Sequence, residues 1–439
     1  IQTLRSRSAR IADGTPGIDR GSYSFSIFPD HPSGHTVTQL DPFAIRPAVG
    51  KVRAVAPAEK YGASTRAVLR TLDYTDAEID RLYGSGRQGS GSLHELILDY
   101  PLRGGKALRP ALSIAICLGL GGPLDAVLPT AATLELYHNA FLIHDDIEDE
   151  SWWRRGKPTL HIDHGIPIAV NVGDAMLSLT LQPLLDNVER VGLGPALRIL
   201  RAVAHMTRQT VDGQAIELEW VKSNAWQLDD ADYLKMVELK TSWYSFITPL
   251  QAGALAAGAD LSQLPPLEAL GRHIGAAFQI TDDLLNLRAD PEDYGKEIGG
   301  DLWEGKRTLM LLHALRCATP EERDQAVEIL GRRRPGADGE LGLTDLLERL
   351  TARGDLSHSG HTEIVTFLAG QHHSSSKNLD DIRWLFDLMQ RMGSLNHARD
   401  IAARHAREAA DVLADLDWLP PSQHRDMLTS LVDYVHGRT

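Results

Sequence analysis

The chain has 439 residues, with 45 Lys and Arg against 59 Asp and Glu and a net charge of −14. That length suits two or three average domains or one large helical domain with appendages, and the ordinary apolar and charged fractions indicate a soluble globular protein. The acidic balance excludes a nucleic-acid footprint, so an anionic ligand must be drawn by local arginines or by metal.

Two cysteines, Cys117 and Cys317, lie among apolar residues, a usage that fits a reducing compartment without a disulfide framework. The basic start Arg5, Arg7, Arg10 is not followed by an apolar stretch, so no signal peptide is read. No apolar run is read as a transmembrane segment, since the longest candidates, such as Ile247 to Leu261, are interrupted by Pro, Gln and Gly. A cytoplasmic location is the expectation that follows.

In chain order, residues 1–60 are rich in Ser, Gly, Pro, Arg and Asp without periodicity, which predicts a poorly ordered extension. Helical pattern begins at Thr65 to Leu72, with a capping signal at Thr75 to Glu78 and a Gly/Ser linker from Gly84 to Gly91. Beyond the loop Leu102 to Pro110 the 3.6-residue period predicts helices over about 111–120, 124–149, 167–187, 195–221, 231–258, 264–288 and 307–317. No run alternates as a strand would. The composition loosens over 318–378, an atypical insertion of loops and short helical pieces, and amphipathic helix returns over 378–392, 397–416 and 420–435. The fold class is therefore all-α, a large bundle occupying residues 61–439, whose core-facing helices carry the chemistry. Histidines between 358 and 373 have no Cys partners and read as a solvated loop.

The chemistry concentrates where the apolar helix Leu134 to Ile143 runs into Asp145, Asp146 and Asp149. Asp145 and Asp149 are four apart and share a helix face. Three carboxylates in one turn repel one another unless a cation sits between them, and hard oxygen ligands suit Mg²⁺ holding phosphates. An isolated cluster of this kind also reads as a solvated acidic helix end. A second cluster, Asp282 and Asp283, follows another apolar run, and Arg154, Arg155 and the glycine-rich stretch Tyr294 to Thr308 supply cations. Two such clusters on facing helices could hold several Mg²⁺ around one diphosphate.

In their order along the chain these motifs resemble those of the trans-type isoprenyl diphosphate synthases of the polyprenyl synthase family, and of its members most resemble a geranylgeranyl diphosphate synthase. The resemblance covers roughly residues 93–315. It implies an all-α bundle around a deep central cavity, about three Mg²⁺ ions per active site, a homodimer, and condensation of isopentenyl diphosphate with an allylic diphosphate through a carbocation. Carried across residue by residue, it implies that Asp145, Asp146, Asp149, Asp282 and Asp283 bind Mg²⁺. Gly105, Lys106, Arg109 and His138 would hold isopentenyl diphosphate with Arg155, and Arg154 would face the allylic diphosphate. Lys240 and Thr241 would stand near the developing cation, with Gln214 and Gln279 lining the same region, and Lys296 and Lys306 would complete the diphosphate shell. Each also has a plainer reading: Arg154 and Arg155 as surface charges, His138 as a satisfied core histidine, Lys240 as a solvated residue.

The sequence departs from the family pattern at Asn286, where the second motif commonly has an aspartate, and in the length of the amino-terminal extension and the 318–378 region. Product length should be set by Ala140 and Phe141, about one helical turn (~5 Å) below Asp145, with Ala140 leaving room that a large aromatic would fill. The expected product is geranylgeranyl diphosphate (C20), with farnesyl or geranylfarnesyl diphosphate as alternatives. A class I terpene cyclase would not need Gly105, Lys106 and Arg109, and a silent partner subunit would not need intact carboxylate clusters.

Overall fold

The computed structural model describes residues 91–105, 107–287, 299–334, 350–351, 356–357, 360–364 and 376–437. The extension at 1–60, the helical pattern before Gly91, and most of the loop read between Pro335 and Ser375 lie outside the described residues.

The described chain is helical almost throughout. Helix α1 spans Gly91–Leu102, α2 Leu108–Gly119 and α3 Leu124–Glu148. A short antiparallel hairpin follows, β1 Trp153–Arg154 with β2 Lys157–Pro158. Then come α4 Leu160–His164, α5 Ile166–Leu179, α6 Leu181–Val191, α7 Leu193–Lys222 and α8 Asp230–Val237. A π-helical segment, Glu238–Ile247, leads into α9 Thr248–Ala256, and α10 Leu264–Asn286 carries the second acidic cluster. The chain continues as α11 Gly300–Glu304, α12 Leu309–Cys317, α13 Pro320–Gly331, α14 Leu379–Arg391, α15 Ser394–Ala414 and α16 Gln423–Gly437.

Boundaries follow local chemistry. Asp229, Thr319 and Asn378 each close a capping box at the start of α8, α13 and α14, satisfying otherwise orphaned N–H groups. The box at Thr319 starts a regular helix inside the stretch read from composition as an insertion. Two long helices expected from periodicity are interrupted: 167–187 breaks at Thr180, and 231–258 contains the π segment. Both breaks preserve the apolar pattern, which is why period alone does not reveal them.

Packing leaves the middle of the bundle open. One apolar cluster joins α8, α10, α12, α14 and α15, another joins α2, α9, α10, α15 and α16, and a third joins α2, α3, α7, the π segment and α9. Large aliphatic side chains such as Leu112, Ile116, Ile199 and Leu250 are fully buried there, each stabilising by about 1.5–3 kcal/mol. A fourth cluster, of α1, α3 and α5, holds Ala140.

The stretch Ile166–Val191, α5 with α6, is by length and composition apolar enough to cross a membrane, contrary to the expectation from sequence, although cores and interfaces of soluble proteins pass the same test. Its exposed apolar residues include Ile166, Leu181 and Leu185, which extend a surface shared with Leu193 and Leu197 of α7.

Candidate active site

Helices α3, α7 and α10 and the π segment wall a cavity of about 960 Å³. Asp145, Asp282 and Asp283 line it, as do Gly105, Arg109, His138, Phe141, Arg154, Arg155, Gln214, Lys240, Thr241, Gln279 and Lys306. The two acidic clusters thus open onto one hollow. Lys106 and Lys296 lie outside the described residues.

Lys240 stands at the start of the π segment, whose wide turns need close approach by the flanking helices. Gly213 of α7 and Gly275 of α10 supply it: a Cβ at the first would overlap the Lys240 backbone nitrogen, and at the second the Ser242 side chain. So placed, the Lys240 ammonium reaches Glu217 and, at 3.4 Å, Asp145. Burial works against its charge, but Glu217 and then Asp145 outweigh that and raise its pKa above the usual lysine value. Lys306 bonds Asp149 at 2.5 Å and Glu304 at 3.0 Å.

A chain of hydrogen bonds runs beneath the second cluster. Thr241 Oγ1 donates to Gln279 Oε1 at 2.8 Å, Gln279 Nε2 donates to Asp283 Oδ1 at 2.8 Å, and the Tyr233 hydroxyl donates to Asp283 Oδ2 at 2.7 Å. Burial nevertheless pushes Asp283 up to about 7, with Asp282 adding to the shift. Asp149 is also raised to about 7, by burial first, with Lys306 opposing and Asp145 adding. Carboxylates whose charge is undercompensated, around a cavity supplied with hard oxygens, fit a divalent cation of the Mg²⁺ class.

At the other end of the cavity Arg109 donates to Ser245 Oγ at 2.7 Å and stacks over Tyr244 at 4.3 Å. His138 faces the same region with Nδ1 buried and unpartnered; burial, then Arg109, Arg155 and Arg154, hold its pKa well below the usual imidazole value, so the ring is neutral. Arg155 occupies the hairpin turn at φ 54°, followed by Gly156 at φ 73°. A non-glycine residue in this left-handed region is strained. The turn aims its guanidinium at the Tyr100 carbonyl, 3.2 Å away, and against Gly105, where a Cβ would lie 3.0 Å from Nη2.

Two expected positions stand off the cavity lining. Asp146 has no exposed surface and lies behind the cavity lining, its carboxylate held by the Arg154 guanidinium and by the Tyr100 hydroxyl at 2.5 Å. It fixes Arg154. Ala140 is buried with Ile97, Tyr100, Ile143 and Met176 and does not line the cavity. The reason is angular: at about 100° per residue, position 140 lies ~140° around the helix from Asp145, whereas position 141 lies ~40° away. Phe141 does line the cavity, packed against Tyr137 and edge-on to Tyr244 with ring centroids 5.7 Å apart in each pair.

Sequence reading missed Glu217, Glu148 and Tyr233. Glu217 stands one turn beyond Gln214 on α7, so the helical period that marks Gln214 also points to it. Gln214 itself donates to Glu148 at 2.7 Å. Nothing local in sequence marks Tyr233, which reaches Asp283 from α8.

The polyprenyl synthetase family profile matches residues 92–342. A geranylfarnesyl diphosphate synthase of Aeropyrum pernix is 34% identical over 371 residues, 84% of this chain and 97% of the relative. A geranylgeranyl diphosphate synthase of Sulfolobus acidocaldarius is 31% identical over 56% of this chain and 74% of the relative. Among solved structures, a polyprenyl synthase from Caulobacter crescentus, complexed with calcium and isoprenyl diphosphate, superposes with a TM-score of 0.65 at 26% identity, covering 88% of this chain and 100% of that one.

Proposed function

From the premise that the chain belongs to the polyprenyl synthetase family and is a chain-elongating prenyltransferase, we propose that it condenses isopentenyl diphosphate with an allylic diphosphate to yield geranylgeranyl diphosphate. The observation carrying this reading is the convergence of Asp145, Asp282, Asp283, Lys240, Lys306, Arg109 and His138 on one cavity.

Asp145 on one wall and Asp282 and Asp283 on the other, with Asp149 behind Lys306, would hold about three Mg²⁺ ions. Bound there, Mg²⁺ would neutralise the departing diphosphate. Lys240 and Lys306, now paired with carboxylates, can turn their ammonium groups toward phosphate oxygens as mobile point charges. Arg154, immobilised by Asp146, offers a fixed guanidinium to the allylic diphosphate. Arg109, Arg155 and the neutral His138 bind isopentenyl diphosphate beside Gly105, and Lys106 joins them. Cleavage of the C–O bond of the allylic diphosphate releases diphosphate and leaves an allylic cation facing Thr241 and Gln279, whose hydrogen bonds to each other and to Asp283 orient their dipoles before charge develops. The apolar wall excludes water, so the isopentenyl double bond is the nucleophile, and the released diphosphate accepts the proton lost afterwards.

On this reading Phe141, which lines the cavity one turn below Asp145, sets the length limit. The C20 product agrees with one relative's name, and C25 with the other's. Incubating the chain with Mg²⁺, isopentenyl diphosphate and each allylic primer, then sizing the products, tests the reading; a cyclised hydrocarbon, or no isopentenyl consumption, would overturn it. Phe141→Ala should lengthen the product by at least one five-carbon unit, whereas Ala140→Phe should lower stability by about 1–3 kcal/mol through overpacking.

The chain is proposed to act in the cytoplasm as a homodimer. Ile166, Leu181, Leu185, Leu193 and Leu197 are exposed apolar residues, of the kind a second copy would cover.

A further inference from the structure

Helices α10 and α15 pack closely along each other, and at one level of that contact three ligand-bearing side chains converge. His273 Nδ1 of α10 lies 3.0 Å from His405 Nδ1 and 3.0 Å from Glu408 Oε2 of α15, and His405 Nδ1 lies 3.4 Å from the same Glu408 oxygen. None of the three lines the active-site cavity. We propose that His273, His405 and Glu408 form a second metal site, selective for a transition ion of the Zn²⁺ class, which clips α10 to α15.

The geometry admits such an ion. Zn²⁺ binds imidazole nitrogen and carboxylate oxygen at about 2.0–2.2 Å in a tetrahedron, whose ligand atoms are then ~3.3 Å apart. The three atoms here form a triangle close to that size, and an ion about 1 Å above its plane would reach all three at bonding distance, with the fourth position open to water. Two imidazoles and one carboxylate favour Zn²⁺, Co²⁺ or Ni²⁺ over the hard ions that suit the active-site carboxylates.

Helical spacing supports the arrangement. His405 and Glu408, three apart, share one face of α15, and His273 meets them from the neighbouring helix. The Nε2 of His405 is buried without a partner, so Nδ1 is the ring's polar contact. Arg272 stands beside His273 and Arg404 beside His405. Arg272 is itself engaged by Glu268 at 2.7 Å and Glu238 at 3.4 Å. Asp282 lies on the same helix about 13 Å beyond His273 at 1.5 Å per residue, so the clip would anchor the helix that carries the second acidic cluster without touching substrate.

The test is calorimetric titration of the chelator-stripped full chain with Zn²⁺ in a large excess of Mg²⁺, alongside His273→Ala, His405→Ala and Glu408→Gln. The wild type should bind one more Zn²⁺ than either histidine variant, Glu408→Gln should weaken that site by ~10-fold or more, and Co²⁺ in its place should give the intense visible bands of a four-coordinate site. Zinc should raise Tm in the wild type and not in His405→Ala. Should a histidine variant fail to fold, as judged by circular dichroism, the shape-conserving Glu408→Gln and the wild-type Co²⁺ spectrum decide. Equal Zn²⁺ binding by the wild type and the variants, displacement by Mg²⁺, or a Co²⁺ spectrum of six-coordinate oxygen ligation would overturn the proposal.

Discussion

The side-chain oxygen of Asn286 accepts the Asp301 N–H at 3.2 Å, and its backbone carbonyl accepts the Gly299 N–H at 2.9 Å. Its amide therefore ties the end of α10 to the start of α11 and does not line the cavity. An aspartate there would retain the acceptor, so its replacement by Asn removes a charge without loosening the turn. Asp282→Ala is expected to lower kcat by ~100-fold or more through lost electrostatic stabilisation, while Asn286→Ala lowers Tm and leaves kcat within about tenfold; equal losses in steady-state rate would place position 286 among the metal ligands. Lys377 supplies a pH signature. It is 3% exposed and donates to the Trp303 carbonyl at 2.7 Å, and burial, with Arg307 and Arg334, lowers its pKa to about 8. A folded pKa below the unfolded value means that the chain loses stability as pH falls through about 8, where the buried amine must charge. Lys377→Met should abolish this part of the slope between about pH 10 and 8, read as the wild-type minus variant difference in unfolding free energy.

Among the elements, the π segment decides where the Lys240 and Thr241 side chains stand. Its ten residues, Glu238–Ile247, run between Gly213 of α7 and Gly271 and Gly275 of α10. π turns are rare and concentrate at functional sites, and here the widened turn sets Lys240 beside Asp145 and Thr241 beside Gln279. Gly213→Ala introduces a methyl group into the Lys240 backbone and should cost about 1–3 kcal/mol in stability. It should also lower kcat more than it raises KM, because it shifts Lys240 without removing a diphosphate ligand; steady-state kinetics beside a denaturant melt separate the two effects. The hairpin carrying Arg154 and Arg155 is positioned from outside: Arg103 donates to the Arg154 carbonyl at 3.1 Å and is itself held by Asp99.

At the scale of the whole molecule, the exposed apolar surface of α5, α6 and the start of α7 is the feature one chain leaves unsatisfied. Leu181 and Leu185 are 56% and 59% exposed, and Leu193 is 62% exposed. On the homodimer reading, Leu185→Glu combined with Leu193→Glu should convert the protein to a monomer in light scattering, since each buried charge without a partner costs several kcal/mol at an apolar contact. An unchanged molar mass would move the interface elsewhere. Ile166–Val191, which contains Leu181 and Leu185, is also the stretch long and apolar enough to cross a membrane.

The sequence by itself determined the all-α class and the two acidic clusters, because helical period and the chemistry of adjacent carboxylates are local properties. Of the cations named through motif order, Arg109, Arg154, Arg155, Lys240 and Lys306 line the cavity. Only the tertiary structure decided which carboxylates reach the cavity, since Asp146 and Asp145 are neighbours in the chain yet point to different sides of α3. The same angular fact removed Ala140 from the cavity wall and left Phe141. Tertiary packing also brought Tyr233 to Asp283, and His273 to His405 and Glu408, because those partners come from different helices and carry no local mark of one another.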